Sequence, residues 1–248
     1  MNYCVVVCSH KREKILKQKT LSVLEEYKIP KEKIFIFVAP EEVSAYEKEL
    51  PEYNIRVGAL GLAENRNAVS NYFESDVPLF LLDDDIRGFK ISSNNKLIPL
   101  DDLDSFIRQG FQECASRGYS LWGLYPVANA KWLKDTISSG LVFCYGCAYG
   151  VFNKKDVLIS NSFKEDYERC IKFYLRDGGA VRLNWVAPVQ SYCKGAGGLN
   201  QIRTLEKEKQ ACEILQQQYP TLVRIKQTTK SDKVDILFPR NLTVQKKK

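Results

Sequence analysis

"PLFLLDDDIRGF", residues 78 to 89, decides the reading of this chain. Pro78 opens an unbroken apolar run, Phe80, Leu81 and Leu82, and three aspartates, Asp83, Asp84 and Asp85, close it. An apolar run of this length reads as a strand buried on both faces, the habit of parallel sheets. Three adjacent carboxylates repel one another and resist burial, so a metal ion, solvent or a basic residue elsewhere in the chain must compensate them.

Upstream, "YCVVVC" (3–8) and "KIFIFVA" (33–39) are further buried runs, and "YNIRVGA" is another strand. Between them lie "HKREKILKQKTLSVLEEYKI", with Leu16, Thr20, Val23, Leu24 and Tyr27 at helical spacing, and "PEEVSAYEKEL", with proline in its first turn. "LAENRNAVSNYF" is a third helix, expected to turn Ala68, Val69, Tyr72 and Phe73 inward. This alternation of strand and helix argues for an α/β fold with a parallel sheet and right-handed crossovers. Ligands of such sheets bind beyond the carboxyl ends of the strands, where Ser9, Gly61 and the aspartates fall.

The second half is more mixed. "FKISSNNKLIPL" reads as a hairpin around Asn94-Asn95, and "DDLDSFIRQGFQECASRG" as a helix with acids in its first turn. "YSLWGLYP", "LVFCYGCAYGVFN" and "AVRLNWVAP" are expected strands. "SFKEDYERCIKFYLRDGG" is a helix capped by Ser162 and ended by Gly178-Gly179, with Phe163, Tyr167, Ile171 and Tyr174 inward. "SYCKGAGGL" is a loop, "RTLEKEKQACEILQQQYP" a last helix, and a short β-like tail follows.

The 248 residues, 44% hydrophobic, are enough for one large domain, expected over 1–220 with a basic extension over 221–248. No apolar stretch approaches the roughly 20 residues of a membrane span, and the N-terminal run is too short for a signal peptide, so the expected location is cytoplasmic. Eight cysteines without a secretory signal argue for reduced thiols. Only Cys144 and Cys147 have metal-like spacing, and buried cysteines are the better reading than zinc. The formal charge is +7, with Arg224, Lys226, Lys230, Lys233, Arg240 and Lys246–Lys248 concentrated late. A basic balance suits a polyanion such as DNA, because phosphate contacts release counterions; solubility alone is the plainer account.

If the backbone stays extended, Asp83 and Asp85 share a side and Asp84 points away. Mg²⁺ or Mn²⁺ takes one or two carboxylates plus phosphate oxygens, so a metal-bound diphosphate would offset the aspartates. Here the chain resembles a GT-A glycosyltransferase, on "GALGLAENRNAVSNYF" and "LFLLDDDI", over roughly residues 1 to 200. That implies a Rossmann-like nucleotide-binding half (1–100) and an acceptor half (101–220), with a mixed, mainly parallel central sheet. The family's usual Ala-Arg-Asn stands here as Asn65-Arg66-Asn67. By resemblance, Asp83 and Asp85 are the D-x-D positions holding Mn²⁺ or Mg²⁺ on a nucleotide-sugar, a UDP-sugar favoured. Arg66 would lie close to them; Ser9 at the first strand end, and Lys194 in a loop that either folds over the donor or is plainly mobile, are further candidate donor contacts. The family's late histidine ligand has no counterpart, since His10 is the lone histidine. By the same resemblance, the pair Glu165-Asp166 opens a helix that would face the acceptor, where in an inverting enzyme a carboxylate, Asp166 favoured, would deprotonate a hydroxyl.

Small size, the basic tail and "KREKILKQKTLSVLEEYKIPKEKIFIFV" look similar to viral and phage enzymes that glycosylate hydroxymethylpyrimidines in DNA. On that likeness Trp122, Tyr125, Trp132 and Tyr145 are candidates to stack on a base. Alternatives are a glycan or protein acceptor, a nucleotidyltransferase using the same aspartates, or a DNA-binding module without catalysis.

Overall fold

A computed structural model describes residues 1–190, 204–227 and 234–239. The chain begins with β1 (Cys4–Cys8) and a helical segment of three parts: α1 (Glu13–Leu16), a π-helical stretch (Lys17–Leu21) and α2 (Ser22–Glu26). Then come β2 (Ile34–Val38), α3 (Val43–Glu49), β3 (Asn54–Val57), α4 (Leu62–Tyr72) and β4 (Pro78–Asp83). The middle holds β5 (Ile86–Ser93), β6 (Lys96–Pro99), α5 (Leu103–Ser116), β7 (Leu121–Leu124), β8 (Ile137–Gly140) and β9 (Ala148–Phe152). After it follow α6 (Glu165–Asp177), β10 (Ala180–Leu183), β11 (Val186–Gln190), α7 (Leu205–Gln218), β12 (Arg224–Gln227) and β13 (Val234–Leu237).

Eight strands form one sheet in the order β3-β2-β1-β4-β9-β7-β10-β8. The first four are mutually parallel, in the order of a nucleotide-binding half. Strand β9 runs antiparallel between β4 and β7, and β8 closes the far edge antiparallel to β10. The sheet is therefore mixed and mainly parallel, as the sequence implies.

Both faces are buried because the apolar runs have no polar alternation. Val5, Val7, Phe80 and Leu82 enter one core with Leu16, Leu24 and Phe111 from the helices; Val6, Leu79 and Leu81 enter the other with Val69 and Phe173. A third cluster seats α7 and the β12–β13 hairpin on Ile171 of α6. The predicted Asn94-Asn95 hairpin forms β5–β6, with both asparagines at positive φ (49° and 59°), the conformation a type I′ turn demands.

Four local expectations are corrected. "AVRLNWVAP" is two strands: β10 joins the main sheet, while β11 pairs with β5 in a separate three-stranded sheet. Of "LVFCYGCAYGVFN", only Ala148–Phe152 is strand; residues 141–147 form a loop that passes under the aspartates. Helix α6 starts at Glu165 rather than after Ser162, because the Asn161 side chain takes the N–H groups of Phe163 and Lys164. In α4 the buried positions include Asn65 and Arg66, while Tyr72 lies exposed. Apolar periodicity had ranked Tyr72 above an arginine, but the arginine has buried partners waiting.

Candidate active site

The carboxyl end of β4 meets the loop after β1, the start of α4, the 145–147 loop, the start of α6 and the end of β11. The aspartates do not continue the strand: Asp84 and Asp85 form the turn into β5. Thr20 fixes that turn. Its hydroxyl donates to the Asp83 carbonyl at 2.7 Å and accepts from the Ile86 N–H at 3.0 Å. The Asp83 N–H donates to the Cys147 carbonyl at 2.9 Å, tying the turn to the 145–147 loop.

Two arginines provide most of the compensation. Arg66 Nη2 donates to Asp83 Oδ1 at 3.1 Å and to the Gly146 carbonyl at 2.9 Å, while Nη1 donates to the Tyr149 hydroxyl at 3.0 Å. Gln190, at the end of β11, donates from Nε2 to Asp83 Oδ2 at 2.9 Å and accepts from the Tyr145 hydroxyl at 3.1 Å. Arg12 Nη1 donates to Asp84 Oδ1 at 3.1 Å and lies 4.0 Å from Asp85 Oδ2. Ser9 donates to Asp84 Oδ2 at 2.7 Å, so the Tyr46 hydroxyl, also 2.7 Å away, donates to Ser9. Asp84 thus has different partners from Asp83, but the extended backbone on which the expected sides rested is replaced by a turn, and Arg12 lies near both Asp84 and Asp85.

These bonds bear on two candidate donor contacts. The Ser9 hydroxyl lies between Tyr46 and Asp84, where it braces the acidic turn. The Nη groups of Arg66 are likewise engaged within the protein, and it holds Asp83 in place. Lys194 lies outside the described residues. His10 Nδ1 sits 2.5 Å from Glu42 Oε1, which occupies it away from the aspartates.

Burial pushes the Asp83 carboxyl up to about 7; Arg66 opposes this, while Asp85, Asp84 and Glu165 add to it. Water at its 31% exposed side chain tempers that shift. Burial also raises Asp84, against Arg12 and Ser9. Asp85 is buried, and its Oδ1 has no hydrogen-bond partner among the described residues. No three His, Cys, Asp or Glu side chains among the described residues make a cage for a metal. A hard cation on a diphosphate needs only one or two carboxylates, and an unbonded buried oxygen on Asp85 beside a partly open Asp83 fits that donor set.

The Glu165-Asp166 pair is split. Glu165 is buried and pairs with buried Arg169 one turn along α6. A Cβ on Gly146 would lie 2.4 Å from Glu165 Oε1, so glycine there lets the loop lie against it. Asp166 is half-buried, and its Oδ1 accepts from the Tyr167 N–H at 3.0 Å. Burial pushes the Asp166 carboxyl up to about 6, with Glu165 adding and Arg169 and Lys164 opposing. Asp83, Asp85 and Asp166 all help to drive the buried Cys147 thiol upward, after burial itself. The three carboxylates therefore surround one loop.

Cys144 and Cys147 are buried, with the Cys144 N–H on Cys170 Sγ at 3.2 Å. Trp122 is fully buried and stacked on Phe80, so it cannot receive a base; Trp132 is 53% exposed. Arg12, Thr20, Tyr149, Arg169 and Gln190 escaped the sequence reading. Their roles depend on contacts between residues far apart in the chain, except Arg12, whose place one turn after a strand end was a usable signal.

No family model matches the chain, and no curated protein matches it. Solved structures do. TarS 1–349 of S. aureus, determined with UDP, superposes with a TM-score of 0.53 at 14% identity, over 89% of this chain and 72% of that one. A mycobacterial protein gives 0.50 at 10% identity, over 96% and 84%. The galactosyltransferase LgtC, solved with donor and acceptor sugar analogs, gives 0.38 at 9% identity over 70% and 64%, too distant to carry an argument. At these identities the likeness shows the fold alone. With the strand order and the acidic turn, that fold is of GT-A type. Among the described residues no helix is long and apolar enough to cross a membrane.

Proposed function

We propose that this chain is a metal-dependent glycosyltransferase moving a sugar from a nucleoside-diphosphate sugar to a hydroxyl acceptor. One observation carries the reading: an acidic turn at the carboxyl end of β4, braced by Arg66, Arg12 and Thr20, with Asp166 across the 145–147 loop. UDP in the TarS structure supports a uridine diphosphate donor. Residues 1–100 then serve the donor and 101–220 the acceptor.

Asp83 and Asp85 would hold Mn²⁺ or Mg²⁺, which supplies charge neutralisation to the departing diphosphate. Arg66 and Gln190 fix the Asp83 carboxylate, and Arg12 keeps Asp84 turned aside. Asp166 is the acceptor base in an inverting course. It takes the hydroxyl proton as the oxygen bonds to the anomeric carbon, while the bond from that carbon to the phosphate oxygen breaks and its electron pair leaves with the diphosphate. Glu165, locked to Arg169, is its neighbour and not its substitute.

The favoured acceptor is a 5-hydroxymethylpyrimidine in DNA. The +7 charge supports it, and Arg224 and Lys226 are exposed on β12. The test is transfer of labelled sugar to duplexes carrying hydroxymethylcytosine, hydroxymethyluracil or neither, after a hydrolysis screen of UDP- and GDP-sugars. Transfer to a modified duplex is expected. Donor hydrolysis with no duplex labelled would leave a glycan or protein acceptor, and label passing from the α-phosphate would mark a nucleotidyltransferase.

A further inference from the structure

Behind the acidic turn, Arg66 and Arg169 share one aromatic ring. The guanidinium carbon of Arg169 lies 3.6 Å from the Tyr149 centroid and that of Arg66 5.1 Å. Both arginines are almost wholly buried, at 3% and 5% exposure for Arg169 and Arg66. Stacking occupies the flat face of a guanidinium and leaves its N–H groups aimed outward in the plane, still needing acceptors. Nη1 of Arg169 finds Glu165, but its Nε and Nη2 have no hydrogen-bond partner among the described residues, and neither does Nε of Arg66. Three desolvated donors on two neighbouring cations call for an acceptor.

Both residues line a niche of about 40 Å³ between α4 and α6, over β4 and β9, bordered by residues 153–159. Lys154 also lines it, and no carboxylate does. The other polar lining is committed elsewhere. Asn67 exchanges bonds with the Ile159 backbone, Ser70 donates to Asn153 and to the Lys154 carbonyl, Asn153 holds three carbonyls, and Lys154 pairs with Asp76. The Ser70 and Tyr149 hydroxyls keep acceptor lone pairs, but the charged groups left unspent are donors only.

We propose that this niche is a binding site for a small monovalent anion of the halide class, chloride, held by Nε and Nη2 of Arg169 and Nε of Arg66. A water is the less apt occupant, because it brings no negative charge to the two buried guanidinium groups. The space of about 40 Å³ admits a small monatomic ion, since a single water needs only about 10–15 Å³ on that kind of measure. Leu79, Leu81, Val69 and Phe173 make the remaining wall apolar, so the several oxygens of a phosphate would lack partners there.

The test uses the full chain. Crystals grown or soaked in sodium bromide should show an anomalous peak within hydrogen-bond reach of Arg169. In solution, thermal unfolding should shift upward and saturate with sodium chloride relative to sodium gluconate at equal ionic strength, and the ³⁵Cl line should broaden. Arg169→Lys keeps a cation for Glu165 but removes the Nε and Nη2 fork; its ³⁵Cl line should return to that of free chloride. An anomalous map without bromide in the niche would overturn the proposal. So would a chloride-specific shift that persists unchanged in Arg169→Lys. Should that variant fail to fold, diffraction from the unaltered protein still decides.

Discussion

Gly150→Ala should destabilise this protein far more than a single methyl group suggests. Gly150 sits directly opposite Trp122 where β9 pairs with β7. A Cβ at Gly150 would fall 2.0 Å from Trp122 Nε1, 2.2 Å from Cε2 and 2.6 Å from Cζ2, well inside the 3.4 Å at which ordinary contact begins. The indole cannot give way easily. On its other side, a Cβ on Gly110 of α5 would lie only 2.6 Å from three of its ring atoms. Phe80 stacks on it at 5.6 Å, and Phe106 and Phe111 meet it edge-on at 5.8 and 5.5 Å. Overpacking usually costs about 1–3 kcal/mol, and a ring hemmed in this way puts Gly150→Ala near about 3 kcal/mol. Urea unfolding followed by far-UV circular dichroism measures it, and the double variant with Trp122→Leu should recover part of the loss through a coupling of roughly 1 kcal/mol or more. Gly118→Ala is the control: nothing lies within 4 Å of its Cβ position, so only its φ of +69° is penalised, at about 1–2 kcal/mol and without coupling to Trp122. A Gly150→Ala loss under about 1 kcal/mol, or additive double variants, would refute the steric account. Because Gly150 adjoins Tyr149, activity should fall along with stability.

Asp83→Asn and Asp85→Asn should each abolish transfer with the far-UV spectrum unchanged, and full turnover by chelator-treated protein would remove the metal from the reading. Asp166→Asn should cost on the order of 10²–10⁴ in turnover, and unchanged turnover would dismiss it as the base. Asp166 also has a pH signature: with its folded pKa raised to about 6, its basic form and hence turnover should rise as pH climbs through about 6. The same shift means that the folded state holds this proton more tightly than the unfolded chain does. Its contribution is therefore favourable below the unfolded value near 3.9 and is lost as pH rises to about 6. Asp166→Asn should accordingly gain stability at neutral pH, a gain that disappears below about pH 4, and urea midpoints across that range check it.

The parallel half was legible because its strands are unbroken apolar runs separated by amphipathic helices, a pattern with few other solutions. The placement of Asp83 at a strand end, of Asp85 in the turn after it and of Asp166 at a helix start was legible because such positions are local properties. Arg66 was visible only as a neighbour of the acidic turn; its burial against Tyr149 and Gly146 depends on residues some eighty positions away. Gln190 was hidden by the same distance, and also by the turn at residues 184–185 that splits an apparently continuous apolar stretch between two sheets. The partners of Ser9 and Glu165 were not legible, since a sequence shows that a hydroxyl or carboxylate is present and not which group it bonds.

The π-helical stretch Lys17–Leu21 behaves as a phase shifter. A π turn accommodates one more residue than an α turn, so it changes which side of the axis the following residues face. Here that offset lets Thr20 grip both ends of the acidic turn while Leu16 before it and Leu24 after it stay in the same core. Deleting one residue from this stretch would restore ordinary α-helix and leave its two flanks nearly in phase, since a π turn and the α turn that replaces it make about the same rotation. The apolar seam of Leu16 and Leu24 would survive, and the hold of Thr20 on the aspartates would be what is lost. Its length is therefore a mechanical setting of the acidic turn, and it should tolerate substitution on its exposed side far better than any change in residue count.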